Sequence, residues 1–366
     1  MSLKCGIVGL PNVGKSTLFN ALLKRQQALV ANYPFATIEP NVGIVEVPDE
    51  RLKTLAEISH SGRIVPATVE FVDIAGLVAG AATGAGLGNK FLTHIRDVDV
   101  ILQVVRDFED SEIVKEGSVN PGSDYVVIET ELILKDLETI NRALESKDVK
   151  AKGMEKKKAV VEKLYKGLNE GKPARMVLVG EEDWELAHDL FLLTAKKEIL
   201  VYNVAENDPR LGMDCPRSTE DNNHGSNTKL AMTDDALYIC AKVEAELSSL
   251  SEADAKDYLK ELGIKESGLD LLIKKAYETL GLISFLTTGE MESRAWTTTK
   301  GAKAPQAAAV IHTDFEKKFI KAKVCDYDRF VEAGGWKEAS DKGWVRFEGK
   351  EYEMKDGDVV EFMIGT

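Results

Sequence analysis

The sequence GLPNVGKST at residues 9–17 decides the fold of the chain. It matches the phosphate-loop pattern GxxxxGK[ST] at every fixed position. The apolar run from Cys5 to Val8 is typical of a buried strand, and STLFNALLK at residues 16–24 has the apolar spacing of a helix. A chance glycine turn would not need both flanking elements. The sequence therefore predicts a strand, a polyphosphate-binding loop and a helix, in that order.

The chemistry of this loop assigns a task to most of its residues. Glycines let the backbone approach a polyphosphate closely, while the loop amides and the helix N-terminus present positive charge to it. We expect Lys15 to reach the β- and γ-phosphates, which also makes it a catalytic candidate, and the Ser16 hydroxyl to bind Mg²⁺. The predicted nucleotide contacts in the loop are Asn12, Val13, Gly14, Lys15, Ser16 and Thr17.

A second motif, DIAG at residues 73–76, follows the predicted strand TVEFV at residues 68–72. In phosphate-loop hydrolases the aspartate of such a DxxG motif lies near Mg²⁺ and the glycine amide senses the γ-phosphate. Asp73 is therefore a predicted metal ligand through water, and Gly76 a catalytic candidate. Thr37 is the predicted switch threonine, a ligand of Mg²⁺ and a catalytic candidate. A turn-capping aspartate and an ordinary loop threonine are the structural alternatives.

Composition sets limits on the kind of protein. The 366 residues suggest two or three domains, and a net charge of −14 with a pI near 5.0 argues against a general nucleic-acid binder. The four cysteines form no CxxC pair, which favours a reducing compartment. No signal peptide or long apolar run is evident. We expect a cytoplasmic protein with no membrane or DNA partner, and RNA contact only through a local basic patch.

The remaining strands predict a doubly wound, mostly parallel sheet. The apolar runs at residues 98–105, 198–204 and 236–241 are typical of strands buried on both faces. The first is separated from the other two by a charged stretch of helical period, so the sheet resumes after an insertion. The fold class predicted is an α/β phosphate-loop NTPase domain that carries an inserted helical segment.

The insertion has the pattern of a helical arm. Apolar residues recur at Ile133, Leu137, Ile140 and Leu144, which predicts two antiparallel helices in a coiled-coil arm. The tip of the arm is basic, and it is either an ordinary solvated helix face or a finger that contacts RNA phosphates. The lysines of the tip are Lys147, Lys150, Lys152, Lys156, Lys157 and Lys158.

The C-terminal region has the character of a separate small module. From about Gly281 it contains short strands and turns with one predicted helix, Ala304 to Ile311. The predicted domain limits are therefore residues 1–122 with 196–280 for the nucleotide-binding domain, 123–195 for the helical insertion, and 281–366 for the C-terminal module.

The base-recognition motif departs from that of a GTPase. A guanine-specific site uses NKxD, whose aspartate accepts two hydrogen bonds from guanine. Here Asn203-Val204-Ala205-Glu206 ends the predicted strand, so the lysine and the aspartate are both absent. A buried polar group left unpaired costs about 1–3 kcal/mol, which weakens guanine binding. Asn203 and a backbone group near Val204 fit adenine, with Glu206 beside them, so we predict that ATP binds better than GTP. An ordinary strand end with an asparagine turn is the alternative.

The residue after DxxG also departs from many switch GTPases, which place there a glutamine that orients the attacking water. Here Leu77 occupies that position and cannot hold water, so hydrolysis is slow or uses another group. Gln103 is the polar residue of an apolar strand, and a buried, hydrogen-bonded role is favoured for it. Weaker candidates are Thr83, Asn89 and His94.

Several segments together resemble the YchF family, the Obg-like ATPases. The matching segments include NYPFATIEPN, FVDIAGLV, GLGNKFL, RAWT, the NxxE site and APQAAAVIHTDFEKKFI. The resemblance implies a G domain, a coiled-coil insertion and a C-terminal TGS domain with a β-grasp, ubiquitin-like fold. It also implies ATP preferred over GTP, Mg²⁺ held by the residues that match Ser16 and Thr37, and an association of the protein with the ribosome and with translational or oxidative-stress regulation.

One departure from the family concerns catalysis. Bacterial relatives tend to carry a histidine in the loop after the central strand, and residues 108–121 of this chain contain none. The leading interpretation is a slow ATPase switch that binds ATP and Mg²⁺ and changes its docking on the ribosome, the subunit being left open. The alternatives are a module for which nucleotide is a structural ligand, and a GTPase.

Overall fold

A computed structural model describes residues 3–30, 41–74, 89–109, 120–151, 153–212 and 236–365. Among these residues no helix is both long and apolar enough to cross a membrane. The strands are β1 (Lys4–Val8), β2 (Val42–Glu46), β3 (Ile64–Val65), β4 (Thr68–Asp73), β5 (Val100–Asp107), β6 (Lys197–Val204), β7 (Ala236–Ile239), β8 (Leu282–Thr288), β9 (Ser293–Thr299), β10 (Phe319–Asp326), β11 (Arg346–Glu348) and β12 (Asp358–Ile364).

The helices lie between these strands, and two 3₁₀ turns accompany them at His188–Leu190 and Leu193–Ala195. The helices are α1 (Lys15–Val30), α2 (Arg51–Ser59), α3 (Asn89–Arg96), α4 (Pro121–Glu145), α5 (Lys147–Lys150), α6 (Glu155–Asn169), α7 (Ala174–Val177), α8 (Gly180–Ala187), α9 (Ala241–Leu247), α10 (Glu252–Glu261), α11 (Gly268–Thr279), α12 (Ala304–Ile311), α13 (Thr313–Lys318), α14 (Tyr327–Ala333) and α15 (Trp336–Asp341).

The first compact unit contains residues 1–44 and 70–272 and is built on one sheet. In its described part the strand order is β2-β4-β1-β5-β6-β7, and β1 lies parallel to both β4 and β5. The pairs β5–β6 and β6–β7 are parallel as well. Because the carboxyl ends of parallel strands share one edge, the phosphate loop after β1, Asp73 at the end of β4 and the residues after β6 lie along that edge. The predicted parallel α/β sheet is confirmed.

The central strands are buried along nearly their whole length, as continuous apolar runs require. Side chains of α3 and α4 cover part of the sheet in one apolar cluster that includes Phe91, Ile95, Ile128 and Leu132. Gln103 is fully buried in β5 and donates from Nε2 to the Tyr125 carbonyl at 3.3 Å. Its predicted burial is confirmed, but its Oε1 has no hydrogen-bond partner among the described residues, so the prediction that all its hydrogen bonds are satisfied is wrong.

The helical insertion contains more than the two predicted helices. Helices α4 and α6 pack together through residues such as Ile140, Val161 and Leu164, but α7 and α8 contribute Val177 and Ala187 to the same apolar cluster. A bundle of several helices buries more apolar surface than an isolated pair. It therefore needs less of the strict heptad pattern that the sequence suggested.

Three of the six lysines of the predicted basic tip pair with acidic residues of the insertion. Lys156 Nζ lies 2.5 Å from Glu182 Oε1, and Lys157 pairs with Asp189. Lys158 lies 3.6 Å from Glu162. The sequence pattern missed Glu182 and Asp189 because they lie 26 and 32 residues from their lysines. Lys152 lies outside the described residues.

The second unit contains residues 45–69 and 273–366. Its described sheet has the order β11-β10-β12-β8-β9-β3, with β8 antiparallel to β9, β10 antiparallel to β11 and β12, and β12 parallel to β8. Strands β8 to β12 thus follow the β-grasp order expected for the C-terminal domain. The predicted helix Ala304–Ile311 is confirmed at both ends, but α13, α14 and α15 were not predicted, because each is only six or seven residues long.

The segment Val45–Val69 groups with the C-terminal unit although it lies between β2 and β4 of the first sheet. Within the second unit β3 pairs with β9, and the Gly62 amide donates to the Glu290 carbonyl at 2.9 Å. The side chain of Arg51 reaches Asp356 at 2.7 Å. The domain limits predicted from the sequence placed this segment elsewhere, because its pairing partners are more than 200 residues away.

Candidate nucleotide site

The phosphate loop connects β1 to α1 at the carboxyl edge of the first sheet. Two of its residues, Asn12 and Gly14, have positive φ values of 61° and 92°, which fold the loop back on itself. The Leu18 amide then donates to the Gly14 carbonyl at 3.0 Å and continues the first turn of α1. The free amides of this helix end face the loop and attract anions. Ser16 and Thr17 are exposed at this end.

The glycines of the loop are required by close approach of neighbouring atoms. A Cβ atom on Gly9 would lie 2.8 Å from the Val104 carbonyl oxygen. One on Gly14 would lie 2.1 Å from Asn203 Nδ2, and φ there is left-handed. The loop therefore keeps its narrow shape only with glycine at both positions.

The predicted catalytic lysine and metal aspartate lie together. The Lys15 ammonium forms an ion pair with the Asp73 carboxylate, and both side chains are mostly shielded from solvent. Strand pairing explains this, because Asp73 ends β4 directly opposite Ile7 of β1. Lys15 thus carries a positive charge at the mouth of the loop, where phosphate oxygens would bind.

The residues present fit Mg²⁺. Magnesium usually takes only one or two protein ligands and completes its shell with phosphate oxygens and water. Ser16 at the start of α1 and Asp73 at the end of β4 are ligands of this kind, and the described residues contain no cluster of three His, Cys, Asp or Glu side chains. The third predicted ligand, Thr37, lies outside the described residues, as do Gly76 and Leu77.

Asn203 ties the phosphate loop to the far side of the site. Its Nδ2 donates to the Val13 carbonyl at 2.8 Å, and its Oδ1 accepts from the Ala241 amide at 2.9 Å. The residue is 5% exposed, so both hydrogen bonds are shielded. One Nδ2 hydrogen is left for another acceptor. Asn203 therefore holds three segments in register, a task that the sequence did not indicate.

The loop opens into a cavity of about 1340 Å³, large enough for a nucleotide. Besides the phosphate loop, its lining includes the predicted base residues Asn203, Val204 and Glu206, and also Phe108. The buried backbone of Val204 belongs to the sheet edge, whereas Glu206 lies in the loop beyond it. The cavity brings the phosphate loop and the NxxE motif together.

Beside Glu206 the cavity is lined by residues of α9 and α10 that were not predicted from the sequence. Lys242 Nζ lies 3.6 Å from Glu206 Oε2, and the Tyr258 hydroxyl donates to Glu206 Oε1 at 3.3 Å and to Glu246 at 2.9 Å. The hydrogen bond to Glu246 is the main reason why the pKa of Tyr258 rises to about 12. These residues follow no motif, so only tertiary structure reveals them.

Of the other candidates for water positioning, His94 and Gln103 do not line the cavity, and the side chain of Asn89 lies outside the described part of the chain. His94 is exposed on α3, and Gln103 lies in the core of the sheet. Thr83 lies outside the described residues. The described part of the cavity lining therefore includes the predicted phosphate-loop residues Lys15 and Ser16, but neither His94 nor Gln103.

The sheet, the loop and the cavity define a phosphate-loop nucleotide-binding protein of the α/β class. Two protein-family models match the chain. The family described as 50S ribosome-binding GTPase matches residues 4–162, and the family YchF-GTPase_C, described as a protein of unknown function, matches residues 282–365. Similarity to curated relatives extends over the whole chain. The chain belongs to the YchF family.

The relatives are similar in sequence and structure. The ribosome-binding ATPase YchF of Bacillus subtilis is 46% identical over 370 residues, and that of Haemophilus influenzae is 45% identical; each alignment covers 99% of both chains. The structure of the Schizosaccharomyces pombe YchF GTPase is 38% identical, with a TM-score of 0.86 over 99% of this chain and 98% of the other. The family assigned from sequence motifs is confirmed.

Proposed function

We propose that this protein is a Mg²⁺-dependent ATPase that binds the ribosome in the cytoplasm and changes its docking with the bound nucleotide. The observation that carries the proposal is that one cavity is lined both by Lys15 of the phosphate loop and by the NxxE residues Asn203 and Glu206. The name ribosome-binding ATPase, borne by relatives 44–46% identical over the full chain, supports it.

The phosphate end of the site would act by positioning and by charge. Lys15 would bind the β- and γ-phosphates and offset their developing charge during transfer. Ser16, Asp73 and Thr37 would hold Mg²⁺, the aspartate through water, and Gly76 would donate its amide to the γ-phosphate. Mg²⁺, when bound, bridges phosphate oxygens and neutralises their charge. Turnover is slow, since Leu77 replaces the glutamine that orients water in many relatives of this class.

The base end of the site would favour ATP. Relatives bear both ATPase and GTPase in their names, so base preference needs its own test. Glu206→Asp shortens the carboxylate to the length that guanine recognition uses, and we expect it to shift the ATP-to-GTP preference toward GTP by about tenfold, the equivalent of one hydrogen bond. Competition titration of a fluorescent ATP analogue with GTP measures this. Wild-type protein that binds GTP as tightly as ATP would contradict the adenine assignment.

The test of the whole proposal combines turnover with ribosome binding. Single-turnover hydrolysis is measured with and without ribosomes, and co-sedimentation with ribosomes is measured with a non-hydrolysable ATP analogue, ADP and no nucleotide. We expect stimulation by ribosomes and tighter binding in one nucleotide state. Equal sedimentation in all three states, without stimulation, would favour the second candidate, a binding module for which nucleotide is a structural ligand. Leu77 and the absence of histidine from residues 108–121 favour that candidate.

We also propose three domains: a nucleotide-binding domain of residues 1–44, 70–122 and 196–272, the helical insertion of residues 123–195, and a C-terminal TGS domain of residues 45–69 and 273–366. The division differs from the sequence prediction at residues 45–69 and 273–280. The RNA contact once predicted for the basic tip is less favoured as a proposal, because Lys156 and Lys157 pair with carboxylates of the same insertion.

A further inference from the structure

One face of α8 and the turn after it exposes aromatic side chains. Trp184 lies in α8, His188 begins the 3₁₀ turn that follows, and Phe191 comes directly after that turn. Trp184 is 41% exposed and Phe191 is 71% exposed. The rings of His188 and Phe191 lie 6.0 Å apart between centroids. We call these residues, with Glu181 and Glu185, the 184–191 face.

The exposure of these rings is not explained by the packing of the insertion. Ala187 and Leu192 on the other side are 5% and 4% exposed and belong to the apolar cluster of the insertion. Phe191 has φ 48°, a left-handed conformation that glycine or asparagine adopts at lower cost. Neither burial nor backbone geometry therefore requires phenylalanine there. Large exposed aromatic side chains are enriched where proteins bind one another.

The charge on this face is negative. Glu181 and Glu185 flank Trp184, and neither forms an ion pair within 4.0 Å in the described part of the chain. The other carboxylates of this stretch are already neutralised by lysines. The pairs are Lys156–Glu182, Lys157–Asp189 and Lys163–Asp183.

We infer that the 184–191 face docks a basic protein segment that also carries an apolar side chain. Phosphate groups of RNA would be repelled by Glu181 and Glu185, whereas lysine and arginine side chains would be attracted. Trp184 adds a ring face on which a cation can stack. The inference rests on the proposed function, which makes the ribosome the partner. On the ribosome, this face contacts protein and not RNA.

Two paired variants separate the apolar and the charged contributions. Trp184→Ala with Phe191→Ala removes the rings, and Glu181→Lys with Glu185→Lys reverses the charge. Leu134→Ala, at a residue of the same insertion that is 52% exposed, is the matched control. Circular dichroism and ATP binding verify that each variant is folded. We expect each paired variant to weaken ribosome co-sedimentation at least tenfold and the control to change it less than twofold.

A probe of defined chemistry tests the face without the ribosome. Anisotropy of a labelled peptide of alternating lysine and leucine is measured against deproteinised ribosomal RNA as the competing ligand. We expect the peptide to bind the wild type, and both paired variants to lose that binding at least tenfold. A photo-crosslinker at position 185 should then capture ribosomal protein.

The outcomes distinguish the two proposals. Wild-type protein that fails to sediment with ribosomes but binds the peptide through this face would refute the proposed function and keep the docking surface. Ribosome and peptide binding unchanged in both paired variants would overturn the docking surface alone. A crosslink to RNA, or tighter RNA binding than peptide binding at this face, would also overturn it.

Discussion

Asn203 shows how much of the site depends on a single buried side chain. Its amide contacts Val13 of the phosphate loop and Ala241 at the start of α9, so it joins two loops that the sequence separates by more than 200 residues. The sequence suggested a base contact only. The structure adds a second role, in which Asn203 holds the phosphate loop against the start of α9. The Nδ2 hydrogen that is not bonded to Val13 is left for a base contact, so the two roles are compatible.

We predict that Asn203→Ala weakens ATP binding about 10- to 100-fold. The change leaves the buried Val13 carbonyl and the buried Ala241 amide without their hydrogen-bond partner, at a cost of about 1–3 kcal/mol. Most of this cost would fall on the conformation of the phosphate loop that binds ATP. Isothermal titration calorimetry with ATP and Mg²⁺ measures the loss. Asn207→Ala, a few residues along the same loop, is the control. An unchanged ATP affinity in Asn203→Ala would show that the bridge is dispensable.

At the scale of elements, the packing of α6 against α7 depends on a glycine. A Cβ atom on Gly167 would lie 2.3 Å from Val177 Cγ2, inside the apolar cluster of the insertion. Overfilling a packed core of this kind costs about 1–3 kcal/mol. We predict that Gly167→Ala lowers the free energy of unfolding by that amount in urea titrations.

The control for that measurement is Gly289→Ala. A Cβ atom there would have no neighbour within 4 Å, and φ is not left-handed. The free energy of unfolding of this variant should stay within about 0.5 kcal/mol of the wild type. If both variants lose stability equally, the close contact at Val177 is not the cause.

Where the helical insertion packs against the sheet, two carboxylates form ion pairs with one guanidinium group. Arg175 Nη2 lies 2.8 Å from Glu129 of α4 and 2.6 Å from Glu198 of β6, and the Tyr125 hydroxyl donates to Glu198 at 3.1 Å. Burial raises the pKa of Glu129 to about 7, and burial raises the pKa of Glu198 as well. One arginine offsets one negative charge, so a proton is retained near neutral pH.

We predict a stability that depends on pH through Glu129. Its carboxyl keeps a proton in the folded protein between its ordinary pKa of 4.5 and about 7, while the unfolded chain releases it. The stabilisation is therefore full below pH 4.5 and is lost as the pH rises through 7. Urea unfolding at pH 5 and pH 7.5 should show the wild type losing free energy of unfolding relative to Glu129→Gln. Parallel pH curves for the two proteins would contradict this assignment.

For the whole molecule, the chain path links the nucleotide site to the C-terminal unit. Thr37 precedes β2 in the sequence, β4 ends at Asp73, and residues 45–69, from the end of β2 to the start of β4, group with the C-terminal unit. Within that unit the side chain of Arg51 contacts Asp49 and Asp356. Residues 45–69 therefore connect β2 and β4 along the chain to the second unit, so a displacement of either strand is passed to that unit through the backbone.

We predict that Arg51→Ala reduces the difference in ribosome affinity between the ATP and ADP states several-fold. The substitution releases one anchor of α2 while leaving the nucleotide cavity untouched, so ATP affinity should stay within twofold. Co-sedimentation in both nucleotide states measures the effect, and Lys53→Ala on the exposed side of α2 is the control. A retained ATP-to-ADP difference in Arg51→Ala would exclude residues 45–69 as the route.

The sequence by itself determined the phosphate loop, the parallel sheet, the aspartate that ends β4 and the replacement of NKxD by NxxE, because each rests on a local pattern of a few residues. Tertiary structure alone decided that Asn203 bridges the phosphate loop and the start of α9, that Lys242 and Tyr258 contact Glu206, and that Lys156 and Lys157 pair with Glu182 and Asp189. It also decided that residues 45–69 belong with the C-terminal unit. These features pair side chains and strands that are distant in sequence, and no local periodicity encodes which distant partner a residue will meet.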